Sequence, residues 1–366
     1  MSMATTILIP GLPNELALDI LARIPRQYHA ILSSVSKSIR SVISSSQLFA
    51  IRSQLNFTEN LLYFKVRFAF IDTNEWFAIY KNLDRLQFAR IQANPSKLTG
   101  SAYAAMGPNI YAIGGRVNEH LCSSDVWILD CRSHTWHRGP SMRIPRSEAS
   151  IAIVRNKIYV IGGMKNETLV EVYNTLIEQW EIILSPYDDD SRKRSLKVLD
   201  TVDDRFIVIW DMLSCQVHRL DTETKKWEKS KNLVAYHRTK NDCVVDGVSY
   251  DNGGNAYQEI CFYDSKKKTW KPIKGVLERK NIMFSKLVNL NERLVVMWAE
   301  IVREKYVELW CSEIDITKNR DGNLLGREVR KFPLHPQKAS HLTLRSLYEQ
   351  RSYGFCFNIQ TFSVTL

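Results

Sequence analysis

No stretch of the chain approaches the roughly 18 uncharged apolar residues that a membrane-crossing helix needs, which excludes a helical membrane protein. Fifteen glycines and eleven prolines in 366 residues are too few for a collagen-like or Pro/Gly low-complexity chain. Cysteine is scarce and unpatterned: seven, an odd number, at 122, 131, 215, 243, 261, 311 and 356, with no paired spacing. That excludes a disulfide framework and leaves small apolar residues or idle thiols in a reducing compartment. No basic stretch followed by an apolar one precedes Pro10 and Pro13, so no secretory signal is expected, and cytoplasm or nucleus is the expected location. Gly-rich phosphate loops, a GxSxG nucleophile elbow and a His-Glu-x-x-His helix are all missing, which removes the commonest catalytic signatures.

What is present is an ordinary globular balance, 45% hydrophobic and 24% charged residues, long enough for one large domain or two smaller ones. The net charge of +11 is spread along the chain rather than gathered into a basic patch, so neither a nucleic-acid nor a membrane partner is expected.

Before residue 55 the apolar spacing is helical. Leu16, Ile20 and Ile24 recur every four residues after Leu12-Pro13 and stop at Pro25; Ile31, Leu32, Val35 and Ile39 form a second run; Val42-Ile43 closes a third. Three short helices with apolar residues on more than one face are predicted. Roughly 45 residues seldom bury such faces internally, so another surface must cover some of them.

From about residue 61 the pattern becomes short β-branched and aromatic runs separated by turn residues. They repeat. NIYAIGG (109–115), NKIYVIGG (156–163) and GVSYDNGG (247–254) align, and DRFIVIWD (204–211) and ERLVVMWA (292–299) fit the same frame without the glycines. Asp130, Asn174, Asp221 and Asp264 each precede a tryptophan by six positions, at Trp136, Trp180, Trp227 and Trp270. The frame positions 115, 163, 211, 254 and 299 are 48, 48, 43 and 45 residues apart, the period of a four-stranded propeller blade. The glycine pair permits close backbone approach, the Asp or Asn makes a tight turn by bonding the backbone two residues on, and the tryptophan is expected in the core between blades.

This unit resembles the kelch repeat, and the N-terminal segment, through Leu12-Pro13, Glu15-Leu16, Ile20-Leu21, Arg23-Ile24-Pro25, Leu32, Val35-Ser36-Lys37, Arg40, Ile43-Ser44 and Phe49, resembles an F-box. Ile39 stands where that family usually carries Trp or Phe. Together they look like the plant family of F-box/kelch-repeat proteins. The resemblance implies a mainly β fold: a small α-helical F-box at 7–50, a linker at 51–60 and a kelch β-propeller of about six blades at 61–366. Clear repeats run 101–136, 149–180, 196–227 and 241–270, with a degenerate one at 283–315, and a closing blade is expected from 61–92 and 340–366. It further implies a non-catalytic substrate receptor of a Skp-cullin-F-box ubiquitin ligase. The F-box would bind a Skp-type adaptor, and through it a cullin, by way of Leu12, Pro13, Leu16, Ile20, Ile24, Pro25, Leu32, Val35 and Lys37. The propeller would bind an unidentified target protein.

Arg146, Arg194 and Arg238 lie 17, 17 and 16 positions before the frame position of their repeats, and Arg146-Ser147 matches a pair that lines the target pocket in similar propellers. A basic face for an acidic or phosphorylated segment follows, with Arg146, Ser147, Arg194 and Arg238 on it. Two alternatives are an interaction scaffold without a ligase role and a propeller oxidase. The oxidase needs a metal site, and the closest spacing to one, Cys131-x2-His134-x2-His137, lacks a fourth ligand nearby; no metal or cofactor is expected. Asp188, Asp189 and Asp190 run directly into Arg192, Lys193 and Arg194, and Lys266, Lys267 and Lys268 occupy a turn; both runs read as solvated loops.

Overall fold

The apolar runs beyond residue 60 are too short and too evenly spaced for helices, and in the computed structural model of the chain they become strands. The model describes residues 7–68, 71–82, 85–118, 121–163, 169–184, 196–211, 214–229, 243–251, 259–264, 267–276, 282–302, 306–319, 323–333 and 357–365.

Six four-stranded antiparallel sheets form the blades. From the inside outward, blade two is Ala102–Met106, Asn109–Arg116, Cys122–Asp130 and Thr135–Gly139. Blade three is Ser150–Val154, Lys157–Ile161, Leu169–Asn174 and Gln179–Leu184; blade four is Leu196–Val202, Phe206–Asp211, Gln216–Asp221 and Trp227–Lys229. Blade five, Cys243–Val245, Val248–Asp251, Cys261–Asp264 and Thr269–Pro272, has the shortest strands; blade six, Ile282–Leu290, Arg293–Val302, Tyr306–Lys318 and Leu324–Pro333, has the longest. Blade one joins the two ends of the propeller: Phe357–Thr365 lies innermost, pairing from Asn60↔Thr365 to Phe68↔Phe357, followed by Ile71–Asn82 and Arg85–Ile91. The inner strand of blade one also adjoins those of blades two and six, so a blade built from both ends of the propeller closes the ring.

The cores lie between blades. Ala104, Tyr111, Ile113, Ile128, Ile158 and Tyr173 join blades two and three, and Val154, Ile161, Val172, Ile207, Ile209 and Leu220 join three and four. Each fully buried aliphatic or aromatic side chain here contributes about 1.5–3 kcal/mol over leaving it exposed. Gly163 shows why the glycine pair recurs: at φ +76° an added Cβ would lie 2.7 Å from the Ser147 carbonyl oxygen and 2.8 Å from the Ala149 nitrogen. Where the glycines are replaced, blade six puts the buried Trp298 in the column instead.

The Asp/Asn column makes the turns. Asp130, Asn174 and Asp221 accept from the backbone N–H two residues on, at 2.9, 3.0 and 3.0 Å, and Asp264 accepts from the N–H of Lys267 at 3.1 Å. The tryptophans pack on the rims of the inter-blade cores, as Trp136, Trp180 and Trp227 do, rather than at their centres. Trp136, Trp180 and Trp227 are half-buried, and Trp270 is 38% exposed. Three indoles serve also as clasps, donating Nε1–H to the carbonyls of Gln92 (2.9 Å), Pro140 (2.8 Å) and Leu184 (3.1 Å), each at the end of the preceding blade's outer strand.

The N-terminal segment folds into four helices rather than three: α1 Asn14–Arg23, α2 His29–Val35, α3 Lys37–Ile43 and α4 Ser46–Gln54, with a 3-10 turn at Arg26–Tyr28. α4 crosses residue 51, where the linker was expected to begin. Ile24, ahead of Pro25, is forced extended and ends α1. Ser36 and Ser45 cap α3 and α4 by accepting from the N–H groups of Ile39 (3.1 Å) and Leu48 (3.2 Å). Leu21, Ala22, Ile39, Ile43 and Leu48 form a small core, in which Ile39 fills its place with a buried aliphatic side chain.

Candidate docking faces and the helix-propeller junction

Four aliphatic side chains of the helices stay outside that small core: Leu16 (54% exposed) and Ile20 on α1, Ile31 and Val35 (64%) on α2. Leu16 and Ile20 are one helical turn apart, as are Ile31 and Val35, so each pair forms a stripe. Of the residues expected at an adaptor interface, Pro13, Leu16, Ile20, Pro25, Val35 and Lys37 are exposed and Leu12 is half-buried. Ile24 and Leu32 pack onto the helical core instead. Ile31, as exposed as Val35, was missed as a candidate although it opens the second helical run; Tyr28, exposed at the end of the 3-10 turn, was missed too.

The helices meet the propeller through a polar junction seated on an apolar one. Phe49 of α4 shares a core with Leu61, Tyr63 and Trp76 of blade one and Cys131 of blade two. Arg26 then reaches into the turn after Asp130: its Nη2 donates to the carbonyls of Cys131 and Arg132, the latter at 3.0 Å, and lies 3.2 Å from His134 Nε2. The Tyr63 hydroxyl donates to the Cys131 carbonyl at 3.0 Å and sits 2.9 Å from the same His134 nitrogen. Glu59 accepts from the Arg26 backbone N–H (3.0 Å) and from Arg52 Nη2 (2.7 Å), while the buried Arg52 donates through Nη1 to the carbonyls of Ala22 and Ile24. Burial lowers the affinity of both histidines for a proton, with Arg52 and Arg26 adding to it at His29 and Arg26 at His134; both fall to about 4. Burial likewise pushes the Cys131 thiol up to about 12.

Cys131 is a buried thiol, His134 faces Tyr63 and Arg26, and His137 is exposed on the next strand, so the three are not brought together as ligands. Among the described residues no group of three or more His, Cys, Asp or Glu could hold a metal ion. No helix among them is long and apolar enough to cross a membrane.

The junction also orients the propeller. The turn Cys131–His134 lies beside the turn at Pro108, to whose carbonyl the Cys131 N–H donates at 2.9 Å, so the helices occupy the end of blade two that bears these turns. The opposite end carries Arg116, Val117 and Leu121, the last two exposed aliphatics on the loop that follows the glycine pair. Arg116 donates to the Ser147 hydroxyl at 2.6 Å and pairs with Glu148 at 3.3 Å.

Arg146 does not face solvent, which corrects the expectation for it. It is 1% exposed, its Nε donates to Glu171 at 3.0 Å, and its Nη1 donates to the Gly162 carbonyl at 2.7 Å. Its own carbonyl accepts from the Gly115 N–H, and the Ser147 N–H donates to the Gly163 carbonyl. The Arg-Ser pair therefore staples blade two to blade three, and Ser147 is buried with it. Arg194, Arg238, the Asp188–Asp190 run and Lys266 lie outside the described residues.

Family models match the chain in two places: the FKB95 kelch-repeats domain over residues 75–329 and the F-box domain over residues 9–50. The chain belongs to the F-box/kelch-repeat family. Two F-box/kelch-repeat proteins of Arabidopsis thaliana, the second described as putative, are each 32% identical to it. The alignments cover 92% and 86% of this chain and 89% of each relative. Among solved structures it is similar to YjhT, with TM-score 0.43 and 13% identity over 69% of this chain and 91% of that one. In this F-box/kelch-repeat protein the exposed stripes lie on the F-box, and the junction fastens the F-box to its propeller.

Proposed function

We propose that this protein is the target-binding subunit of a Skp-cullin-F-box ubiquitin ligase, with the F-box docked on a Skp-type adaptor and the propeller holding the protein to be ubiquitinated. The observation that carries the reading is the pair of exposed aliphatic stripes, Leu16–Ile20 and Ile31–Val35, on helices whose remaining aliphatic residues pack into or onto a small core. Exposed aliphatic stripes of this kind are surfaces that a partner covers. The chain's part in the reaction is to position the target; transfer chemistry belongs to other subunits. Target contact belongs on the end of the propeller opposite the F-box, at Arg116, Val117 and Leu121; Arg194 and Arg238, outside the described residues, are candidates from their repeat positions alone, as arginines for an acidic or phosphorylated segment. Cytoplasm or nucleus is the compartment that goes with this role.

The test is co-purification of the full chain with a Skp-type adaptor, beside the variant Leu16→Ala, Ile20→Ala, Val35→Ala. All three side chains are exposed, so the fold should persist, which circular dichroism checks. Adaptor binding weakened by a hundredfold or more in the variant is the expected result. Equal binding by both chains, or none by the intact chain, overturns the proposal.

A further inference from the structure

The junction between F-box and propeller is built as a chain of fixed parts. At one end, Arg52 is tied to carbonyls at the end of α1 and just beyond it, Ala22 and Ile24, and to Glu59. Glu59 holds the Arg26 backbone, and the Arg26 guanidinium holds the Cys131 and Arg132 carbonyls. At the other end, that turn is itself rigid: Asp130 accepts from the Arg132 backbone N–H and pairs with its guanidinium at 2.7 Å, and the His134 N–H donates to the Asp130 carbonyl at 2.7 Å. A connector from Leu55 to Asn60 alone would leave the two domains free to take many angles. Arg26 carries polar contacts from the helical domain to blade two beside the apolar contact of Phe49, and its Nη2 donates to two carbonyls at once.

We propose that Arg26 is a positioning residue, which locks the adaptor-binding helices and the propeller at one angle so that the ligase reaches a restricted set of lysines. The inference rests on the ligase-receptor reading for its consequence. A tethered reactant is modified in proportion to the effective concentration its geometry allows, so a fixed angle concentrates transfer on the few amines within reach, and a loose one spreads it. Arg26 takes no part in transfer and is separate from the exposed stripes that meet the adaptor.

The experiment compares the full-length wild type with Arg26→Ala and Arg26→Lys. Adaptor co-purification comes first and tests only the underlying reading; all three chains should bind within about twofold of one another. Each complex is then assembled with cullin, ubiquitin and the transfer enzymes. The chain's own lysines serve as the probe, and mass spectrometry identifies which are modified. The wild type should carry ubiquitin on a few clustered lysines, Arg26→Ala on lysines of several blades, and Arg26→Lys, which keeps the charge on a shorter side chain that reaches the turn less well, on an intermediate set. A merely structural loss would lower the yield without redistributing it. In parallel, hydrogen exchange on the free chains should rise at residues 26–29 and 131–134 in Arg26→Ala while the strands of blades three and four stay protected. Unchanged exchange at the junction, or an unchanged lysine pattern with adaptor bound, overturns the proposal. If the wild type binds no adaptor the ligase reading falls, and the exchange arm still decides whether Arg26 is the lock. If Arg26→Ala does not fold, Arg26→Lys carries both arms.

Discussion

Arg146 and Glu171 form an ion pair at 3.0 Å in which the two side chains are 1% and 0% exposed. Glu171 also accepts from the Arg143 N–H at 2.7 Å, so one carboxylate of blade three's third strand organises the segment arriving from blade two. Two charges this deep stabilise only as a set: their mutual attraction and hydrogen bonds offset the loss of water, and removing one strands the other.

Glu171→Ala is therefore expected to destabilise the propeller by about 3–5 kcal/mol, and Arg146→Ala by a similar amount. Replacing both with aliphatic residues of like volume should recover much of the loss. Chemical denaturation of the four chains measures this. Single losses below about 1 kcal/mol would show that water reaches the pair. Target binding is better probed with the half-exposed Arg116 than with Arg146, whose loss damages the scaffold.

Gly163→Ala adds a Cβ at φ +76° against the backbone of Ser147 and Ala149, neither of which can swing aside as a flexible side chain would. Positive φ alone costs an L-residue about 1–2 kcal/mol, and the contact adds to it. Gly107→Ala, with positive φ but nothing near its Cβ, is the control that separates the two effects. Thermal unfolding should rank wild type above Gly107→Ala above Gly163→Ala.

Trp180→Phe keeps a large ring between blades two and three and deletes only the donor to Pro140. A loss of about 0.5–1.5 kcal/mol is expected from the hydrogen bond, and Trp180→Ala should cost more because packing goes with it. Equal losses for both substitutions would show that the clasp, not the ring, carries this position.

His29 and His134 are neutral in the folded junction, each held near 4 by burial, with the guanidinium groups of Arg52 and Arg26 adding to it at His29 and that of Arg26 at His134. Glu59 faces His29 and Asp130 faces His134, and both act weakly in the opposite sense. In the unfolded chain a histidine protonates near 6.5. The contribution to stability is thus complete above about pH 6.5 and is lost progressively as pH falls towards 4, by at most about 3 kcal/mol for each histidine. Denaturation at pH 7.5, 6, 5 and 4.5 should show this decline, and His134→Gln should flatten part of it. Stability that does not change across that range would contradict the neutral assignment.

Much of the architecture was legible in one dimension because each repeat encodes its own turn. The Asp or Asn of each copy bonds backbone two or three residues away, and the glycine pair marks a conformation that few other residues accept, so both are local statements that survive without knowledge of neighbours. The F-box helices were legible in part for the same reason, through Pro25 and the four-residue spacing of Leu16, Ile20 and Ile24. α4 was missed because its apolar residues, Leu48, Phe49 and Ile51, do not fall on a single stripe: Leu48 faces the helical core while Phe49 faces the propeller.

The amino-acid sequence by itself determined the blade period, the turn chemistry and the presence of two unlike domains, since these rest on contacts within a few residues of one another. Only the tertiary structure decided which side chains are presented outward. Arg146 reads as a surface arginine until Glu171, 25 residues away, is found beside it, and Arg26 reads as the residue after a helix stop until Cys131 and Arg132, more than 100 residues on, supply its acceptors. Burial of a charge depends on partners brought near by the whole fold, and sequence spacing carries no record of them.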